Sequence, residues 1–431
     1  MTFATLAFMD SIRAVSLAGL LLVSAMPACI DVSAPRIYGT GGGDAQTGGG
    51  LGVGAGGVGG AGGAPSALPV CDGMVTRPCA SLVHMAAGGT FSCARFDDDT
   101  VRCWGGNDVG QLGVRALPSS VYEDVIVTDL PPFDEMSLGW AHGCGIYQGD
   151  VWCWGGNLAN QLGGPGAGGP EPRALGLNGA TDVDVDWDGA CAVWGTPSNV
   201  SCWGTLLDGD SWIGHNLNPS YPSPRVVGGL EAEIPVEVTV GSRHACAATA
   251  DDAVWCWGDD AWGKLGQAGT GDSVLALEAD NLLAPFTHLG SGSKHNCVVT
   301  GNPSSLLCWG YLPYQQEVVP TPLLNWDGAG VVKMTHFRDG FCAAYASGIV
   351  KCTGDNEYGQ VPPNHHSVSV VEPMVQVPGL GDVVQVEAGV AHICAVKSSG
   401  AVWCWGRNSE GQLGLGGRTL REPPVQVVLN P

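Results

Sequence analysis

Four histidines stand two residues ahead of a cysteine: His142, His244, His295 and His392, before Cys144, Cys246, Cys297 and Cys394. Imidazole beside a thiol is raw material for a metal centre or for acid–base work. A second chemistry-bearing stretch is acidic. Asp182, Asp184, Asp186 and Asp188 alternate with Val183, Val185 and Trp187, so on a strand the carboxylates share one face. Such oxygens suit Ca²⁺, which makes Asp182, Asp184 and Asp186 a candidate calcium site. Alternate residues of a straight strand lie about 6.5–7 Å apart, too splayed for one ion. A solvated acidic face is the competing reading.

What these groups can do depends on the elements that hold them. The chain has 17 cysteines, and pairs recur about every 50 residues. They are Cys93/Cys103, Cys144/Cys153, Cys191/Cys202, Cys246/Cys256, Cys297/Cys308, Cys342/Cys352 and Cys394/Cys404. If each pair faces across a hairpin, the connections are short. Gln148-Gly149 is then a two-residue loop and Ser398-Ser399-Gly400 a three-residue one, both common lengths. Facing residues in an antiparallel pair lie within reach of a disulfide. Cys71 and Cys79 make an eighth pair, and Cys29 is left over. Structural zinc would need four ligands gathered in one place, and these pairs lack C-x-x-C spacing.

In Val402-Trp403-Cys404-Trp405 the large apolar groups point to both faces. A strand of that kind is covered on both sides, as in a propeller blade wedged between neighbours. An apolar strand precedes each hairpin, and a turn of the form Gly-Gln-Leu-Gly, or a remnant of it, comes after, as at 110–113, 263–266, 359–360 and 411–414. The first repeat has no proline-flanked strand before it, and the last ends with one at 424–429. The expectation is that this C-terminal strand completes the first blade and closes the ring, so that no strand edge is left open.

The unit is clearest at Gly389–Gly414: Gly-x-x-His-x-Cys, a hairpin, then Val-Trp-Cys-Trp-Gly-x-Asn-x-x-Gly-Gln-Leu-Gly. It resembles the regulator of chromosome condensation repeat family, whose members form seven-bladed β-propellers. The resemblance covers about 82–431 and implies an all-β ring of seven blades. Repeat 3 departs from it at Gly204-Thr205-Leu206, repeat 5 at Tyr311-Leu312-Pro313, and repeat 6 has Thr353 where Trp is usual. Because the histidines recur with the repeat, the reading for them is hydrogen bonding within each blade, and the tryptophans before glycine read as core. The family puts different functions on one fold. Its namesake is a nuclear nucleotide-exchange factor on chromatin. A plant light receptor of the family uses Gly-Trp-Arg-His-Thr pentads, which Gly139-Trp140-Ala141-His142-Gly143 only approximates. An exported relative inhibits β-lactamases, so the scaffold can serve as a protein-binding disc.

Charge narrows the choice. With 18 basic against 41 acidic residues the chain carries −23, which argues against nucleic acid and against anionic membrane surfaces. Arg13 and the apolar run Ala14–Ala25 have the form of an export signal. Residues 1–28 read as a signal of the lipoprotein type with Cys29 as the lipid acceptor; ordinary cleavage after Ala25 is the alternative. Residues 29–68 read as a Gly-rich flexible tether, 69–81 as an N-terminal segment with Cys71 and Cys79, and 82–431 as the propeller. Localisation is expected to be the outer membrane or cell surface, or secreted. Membrane contact is expected only through the lipid, and the protein as a monomer without cofactor.

In a repeat protein, specificity lies where equivalent positions differ. Three and four residues before each first hairpin cysteine stand Trp140, Trp187, Arg243, Lys294 and Arg338 in five successive repeats. Two tryptophans followed by a basic arc suggest a recognition face. Loop aromatics Trp212, Tyr221, Trp262, Tyr311, Tyr314 and Trp326 form a second pool. The function expected is non-catalytic binding of a protein or glycan at the cell envelope. The alternatives are a polysaccharide hydrolase or lyase, and a purely structural surface protein.

Overall fold

The computed structural model describes residues 82–115, 121–204, 223–269, 271–282, 285–301, 304–323, 329–362 and 369–429. The signal segment, Cys29, the tether and Cys71/Cys79 lie outside these residues, as do Trp212, Tyr221 and Trp326.

The described residues form seven antiparallel sheets of four strands, each in chain order from an inner to an outer strand. The inner strands are Leu82–Ala87, Glu135–Leu138, Asp182–Asp186, Pro235–Gly241, Phe286–Ser291, Val331–Phe337 and Val383–Ala388. In every blade the two central strands set cysteine opposite cysteine. The disulfides Cys93–Cys103, Cys144–Cys153, Cys191–Cys202 and Cys246–Cys256 close across the hairpins of blades 1 to 4. Cys297–Cys308, Cys342–Cys352 and Cys394–Cys404 do the same in blades 5 to 7. Their Cα separations are 4.0–4.1 Å. Gln148 and Gly149 both have positive φ, 53° and 74°, as a two-residue turn of type I′ requires.

The core is not inside the blades but between them. Seven apolar clusters each draw on two neighbouring blades. Val402 and Cys404 face blade 1 and pack with Met85, Ala94 and Trp104. Trp405 faces the other way, against Cys342 and Cys352 of blade 6. The two-faced alternation of the sequence is thus the signature of a sheet buried on both sides.

Ring closure differs from expectation. The C-terminal strand Thr419–Gln426 pairs with Val402–Asn408 and completes blade 7, not blade 1. Blade 1 has its own outer strand, Val121–Val127. Each outer strand follows its own hairpin, so none is spare. The outer strand of blade 1 is itself rich in β-formers, with five of its seven residues Val, Ile or Tyr; the expectation failed because it placed that strand before the hairpin instead of after it. The ring closes by side chains and close backbone approach. Gly389 of blade 7 sits so near the Gly88 carbonyl of blade 1 that a Cβ there would overlap it.

Candidate functional site

The hairpin cysteines carry no chemistry of their own. Cys103, Cys202, Cys256 and Cys308, the second cysteines of blades 1, 3, 4 and 5, are buried and bonded to Cys93, Cys191, Cys246 and Cys297. Cys153, Cys352 and Cys404 are held in the same way. None of them lines the central channel, so they are structural pins and not part of a binding site.

The histidines are structural too; three of them act between blades, and His244 Nδ1 also meets the Ser242 carbonyl of its own blade at 3.3 Å. His392 Nε2 lies 2.8 Å from Ser92 Oγ, across the blade 7–blade 1 seam. Ser92 uses its own proton on the Gln412 carbonyl, so His392 is the donor. His244 Nε2 meets Asn296 Oδ1 of blade 5 at 2.9 Å. His295 finds Phe341 at the equivalent place and pairs instead with His336 Nδ1 at 3.1 Å. His142 faces Ala190, and both its ring nitrogens lack a partner among the described residues. Burial lowers the pKa of His142 to about 4 and that of His392 to about 3, so both rings are neutral. The tryptophans reach the opposite way. Trp104 Nε1 donates to the Gln412 carbonyl of blade 7 at 2.8 Å, and Trp154, Trp203, Trp309 and Trp405 repeat the bond. In blade 6, Thr353 and Tyr314 fill the missing indole's place, so Tyr314 is a packing residue.

A third set of inter-blade bonds lies on the inner strands. At six seams the bond joins a neutral side chain to the backbone of the next blade. His84 bonds Met136 O, and Ser137 Oγ accepts from Val185 N–H. Thr239 accepts from Ser291 N–H, and His288 bonds Val332 O. Thr335 accepts from Ala388 N–H, and Gln385 donates to Met85 O. The blade 3–blade 4 seam uses carboxylates: Asp182 accepts from Val238 N–H and Asp184 from Val240 N–H at 2.7 Å.

This accounts for the acidic run, and neither expected reading of it fits. Asp182, Asp184 and Asp186 do share a face, and that face lines the central channel, a cavity of about 220 Å³. The channel wall shields them, so the face is not a freely solvated one. Burial raises the pKa of Asp182 and Asp186 to about 7, and it also lifts Asp184 above the usual carboxylate value. Nor do they converge on one point as a calcium site would. Among the described residues, only His295, Cys297 and His336 bring three potential ligand atoms within 4.8 Å, and Cys297 is committed to its disulfide with Cys308. Two further channel carboxyls escape the sequence reading. Burial and the neighbouring Asp182 push Glu135 up to about 9, and Glu237 to about 8 for the same reasons. Across the channel Lys333 lies 3.3 Å from Glu387, which holds its pKa up.

The expected recognition residues do lie together on one face, at the turns that follow the inner strands. Trp140 and Trp187 stack across blades 2 and 3 with ring centres 4.8 Å apart and planes 18° from parallel. The basic arc beyond them is not free positive charge. Lys294 lies 3.3 Å from Asp339, and Arg338 meets Asp339, Asp355 and Glu357 at 3.3–3.6 Å. Arg243 is 4.0 Å from Asp259, which also holds the buried Lys264 at 3.1 Å. These acids come mostly from the turn after the third strand, which folds over the same face and which a count of one turn position does not include. That second turn also carries exposed apolar groups. Leu158 is 85% exposed and Trp262 46%. Trp262 lies 5.0 Å from Tyr311, over which Lys294 sits at 5.3 Å. Leu158 stands where other copies have Asp108, Glu357 and Ser409, a difference visible in the sequence but not used.

The regulator of chromosome condensation (RCC1) repeat pattern matches residues 82–111, 236–263 and 383–412, and a second form of it matches 399–431. The chain is 24% identical to the Ultraviolet-B receptor UVR8 of Arabidopsis thaliana over 372 residues, 81% of this chain and 82% of the receptor. It is 28% identical to the E3 ubiquitin-protein ligase HERC2 of Mus musculus over 252 residues, 55% of this chain but 5% of that ligase. Among solved structures it resembles Prp20p from Saccharomyces cerevisiae, described with its binding to Gsp1p and histones. The TM-score is 0.67 at 16% identity, over 81% of this chain and 87% of that one. At that identity the likeness concerns the fold. Strand order and likeness agree on a seven-bladed β-propeller, and the regulator of chromosome condensation repeat pattern is matched in blades 1, 4 and 7 of it.

Proposed function

We propose that the chain is a non-catalytic recognition propeller that binds a protein partner through the turn face of blades 2 to 6. The observation that carries this is the Trp140–Trp187 stack, held across two blades and flanked by the turn that bears Leu158. That turn is tied to the Trp140 turn, since Gly156 N–H donates to Ala141 O at 2.8 Å. Rigid aromatics beside exposed aliphatics and half-exposed Arg and Lys are the composition of binding hot spots. Lys294, Arg338 and Arg243 offer directed donors above buried carboxylates rather than a net positive field. Prp20p, on the same fold, is described as binding Gsp1p and histones, which supports a protein partner as the class.

A polysaccharide hydrolase or lyase is not favoured. The channel's 220 Å³ is small beside the roughly 300–1,000 Å³ of small-molecule sites, and two of its carboxylates are already bound to backbone N–H groups. The reading extends to export as a monomer with Cys29 lipidated. The seven disulfides support an oxidising compartment. A glycan partner is the second reading, and the exposed Trp262–Tyr311 corner favours it because sugar faces stack on such rings.

The test is capture of envelope proteins by Trp140→Ala, Trp187→Ala and Leu158→Ala variants, each checked for unchanged melting. At least about tenfold weaker capture, roughly 1.4 kcal/mol, is expected. Undiminished capture by all three would overturn the assignment of the face.

A further inference from the structure

We infer that the seam between blades 3 and 4 is a pH-operated joint, tight while its channel carboxyls share protons and loosening before any other seam as those protons leave.

The geometry sets this seam apart. Among the described residues it is the one inner-strand seam whose bonds to the next blade's backbone are made by ionisable acids, Asp182 and Asp184. Glu135 of blade 2 lies against Asp182, and two neighbouring buried carboxyls repel unless one of them keeps its proton. Glu237 of blade 4 adds a further acid on the other side. Asp184 also takes a bond from Ser137 Oγ at 2.8 Å, so blades 2, 3 and 4 share one network.

The rest of the ring neutralises this wall only in part if it ionises, because Lys333, which favours the charged forms of Glu135, Asp182 and Glu237, is also paired with Glu387. Blade 1 presents His84, which burial keeps neutral and which bonds Met136 O. Blade 5 presents His288, also held neutral by burial. Blade 6 presents Lys333, and blade 7 answers it with Glu387 at 3.3 Å. Asp186, further along the same strand, is one more acid. Loss of the shared protons therefore sets several like charges side by side, with one cation already paired. The cavity of about 220 Å³ gives water room to enter beside them. The relief available is to part blade 3 from blade 4, which frees the Val238 and Val240 amides.

Those amides are the readout. Native-state hydrogen exchange is measured on the intact protein between pH 6 and pH 9, corrected for intrinsic rates. Ser291 and Ala388 N–H, held by Thr239 and Thr335 at neutral seams, are internal references. Protection at Val238 and Val240 is expected to fall at least about tenfold more than at the references, the equivalent of one pKa unit. In Glu135→Gln/Glu237→Gln, which keeps a donor toward Asp182 without the ionisation, that excess is expected to vanish. Equal loss at all four amides, or an unchanged excess in the double variant, would overturn the inference. Recovery of protection at pH 9 on adding calcium alone would also overturn it, because the wall would then be a cation site.

Discussion

The seam between blades 7 and 1 and the seam between blades 3 and 4 solve one problem with different chemistry. At the first, His392 bonds Ser92, Trp104 bonds the Gln412 carbonyl, and Gln385 reaches the Met85 carbonyl. Every group is neutral and two of the three belong to the repeat. At the second, Gly189 stands where the histidine would be, and the Trp257 indole has no acceptor among the described residues. The sequence of blade 3 also lacks the Asn and Gln of the turn that supplies that acceptor elsewhere, reading Gly204-Thr205-Leu206. The bonds it does make are to Asp182 and Asp184. A seam that lacks the repeat's own fasteners is held by acids, and acids answer to pH.

The largest expected break in this comparison is Trp104→Ala. The side chain is fully buried in the closing cluster, so truncation is expected to cost about 3–5 kcal/mol in chemical denaturation. Trp257→Ala, without the indole hydrogen bond, is expected to cost about 1 kcal/mol less. Equal losses would show that the bond adds nothing to packing.

The pH response comes next. Glu135, Glu237 and Asp182 are raised in the folded protein to about 9, 8 and 7. The folded state then holds more protons than the unfolded chain, so their contribution is full below the ordinary carboxylate range and is lost as pH rises toward 9. Urea midpoints are expected to fall from pH 6 to pH 9, by on the order of 2 kcal/mol in stability. A midpoint that rises with pH over that interval would reverse the sign of the linkage.

His392→Ala removes the donor to Ser92 at the neutral seam and is expected to cost about 1–3 kcal/mol at about pH 8. Because burial holds this imidazole at about 3, the variant is also expected to lose less stability than the parent as pH falls below the ordinary histidine value, while the fall toward pH 9 stays unchanged. An altered fall toward pH 9 would mean that the neutral seam also responds to base. The smallest effect is a gain. Ala190→Ser would give His142 the partner that Ser92 gives His392, with the Gln161 carbonyl placed as Gln412 is. Stabilisation of about 0.5–1.5 kcal/mol is expected by thermal melting.

Much of this is legible in the chain. Cys144 opposite Cys153 with Gln148-Gly149 between them is a local statement about a hairpin, and the sheet register repeats it. The two-faced Val402–Trp405 strand announces burial on both sides. The pairing of His244 with Asn296 and His392 with Ser92 is also written there, one repeat apart. So are the matched absences, Gly189 with Ala245 and Gly340 with Ile393. A reading within single blades hides them, because the partner of each histidine is about 50 residues along the chain, or at the other end of it. The outer strand of blade 1, Val121–Val127, is legible as a β-former run, and only its place after its own hairpin, repeated in every blade, was needed to assign it. The basic arc looks freer in the sequence than it is, because Asp259, Asp355 and Glu357 come from a different turn and Asp339 reaches Lys294 of the neighbouring blade.

The sequence by itself determined the hairpins, their disulfides, the repeat and hence the seven-bladed ring. All rest on contacts between residues close in the chain or on a pattern copied seven times. Tertiary structure decided what each repeat meets on its neighbour. Only the closed ring sets Glu135 against Asp182, turns an apparent calcium run into backbone fasteners, and stacks Trp140 on Trp187. Those contacts depend on the angle between sheets, which follows from packing seven of them around one channel.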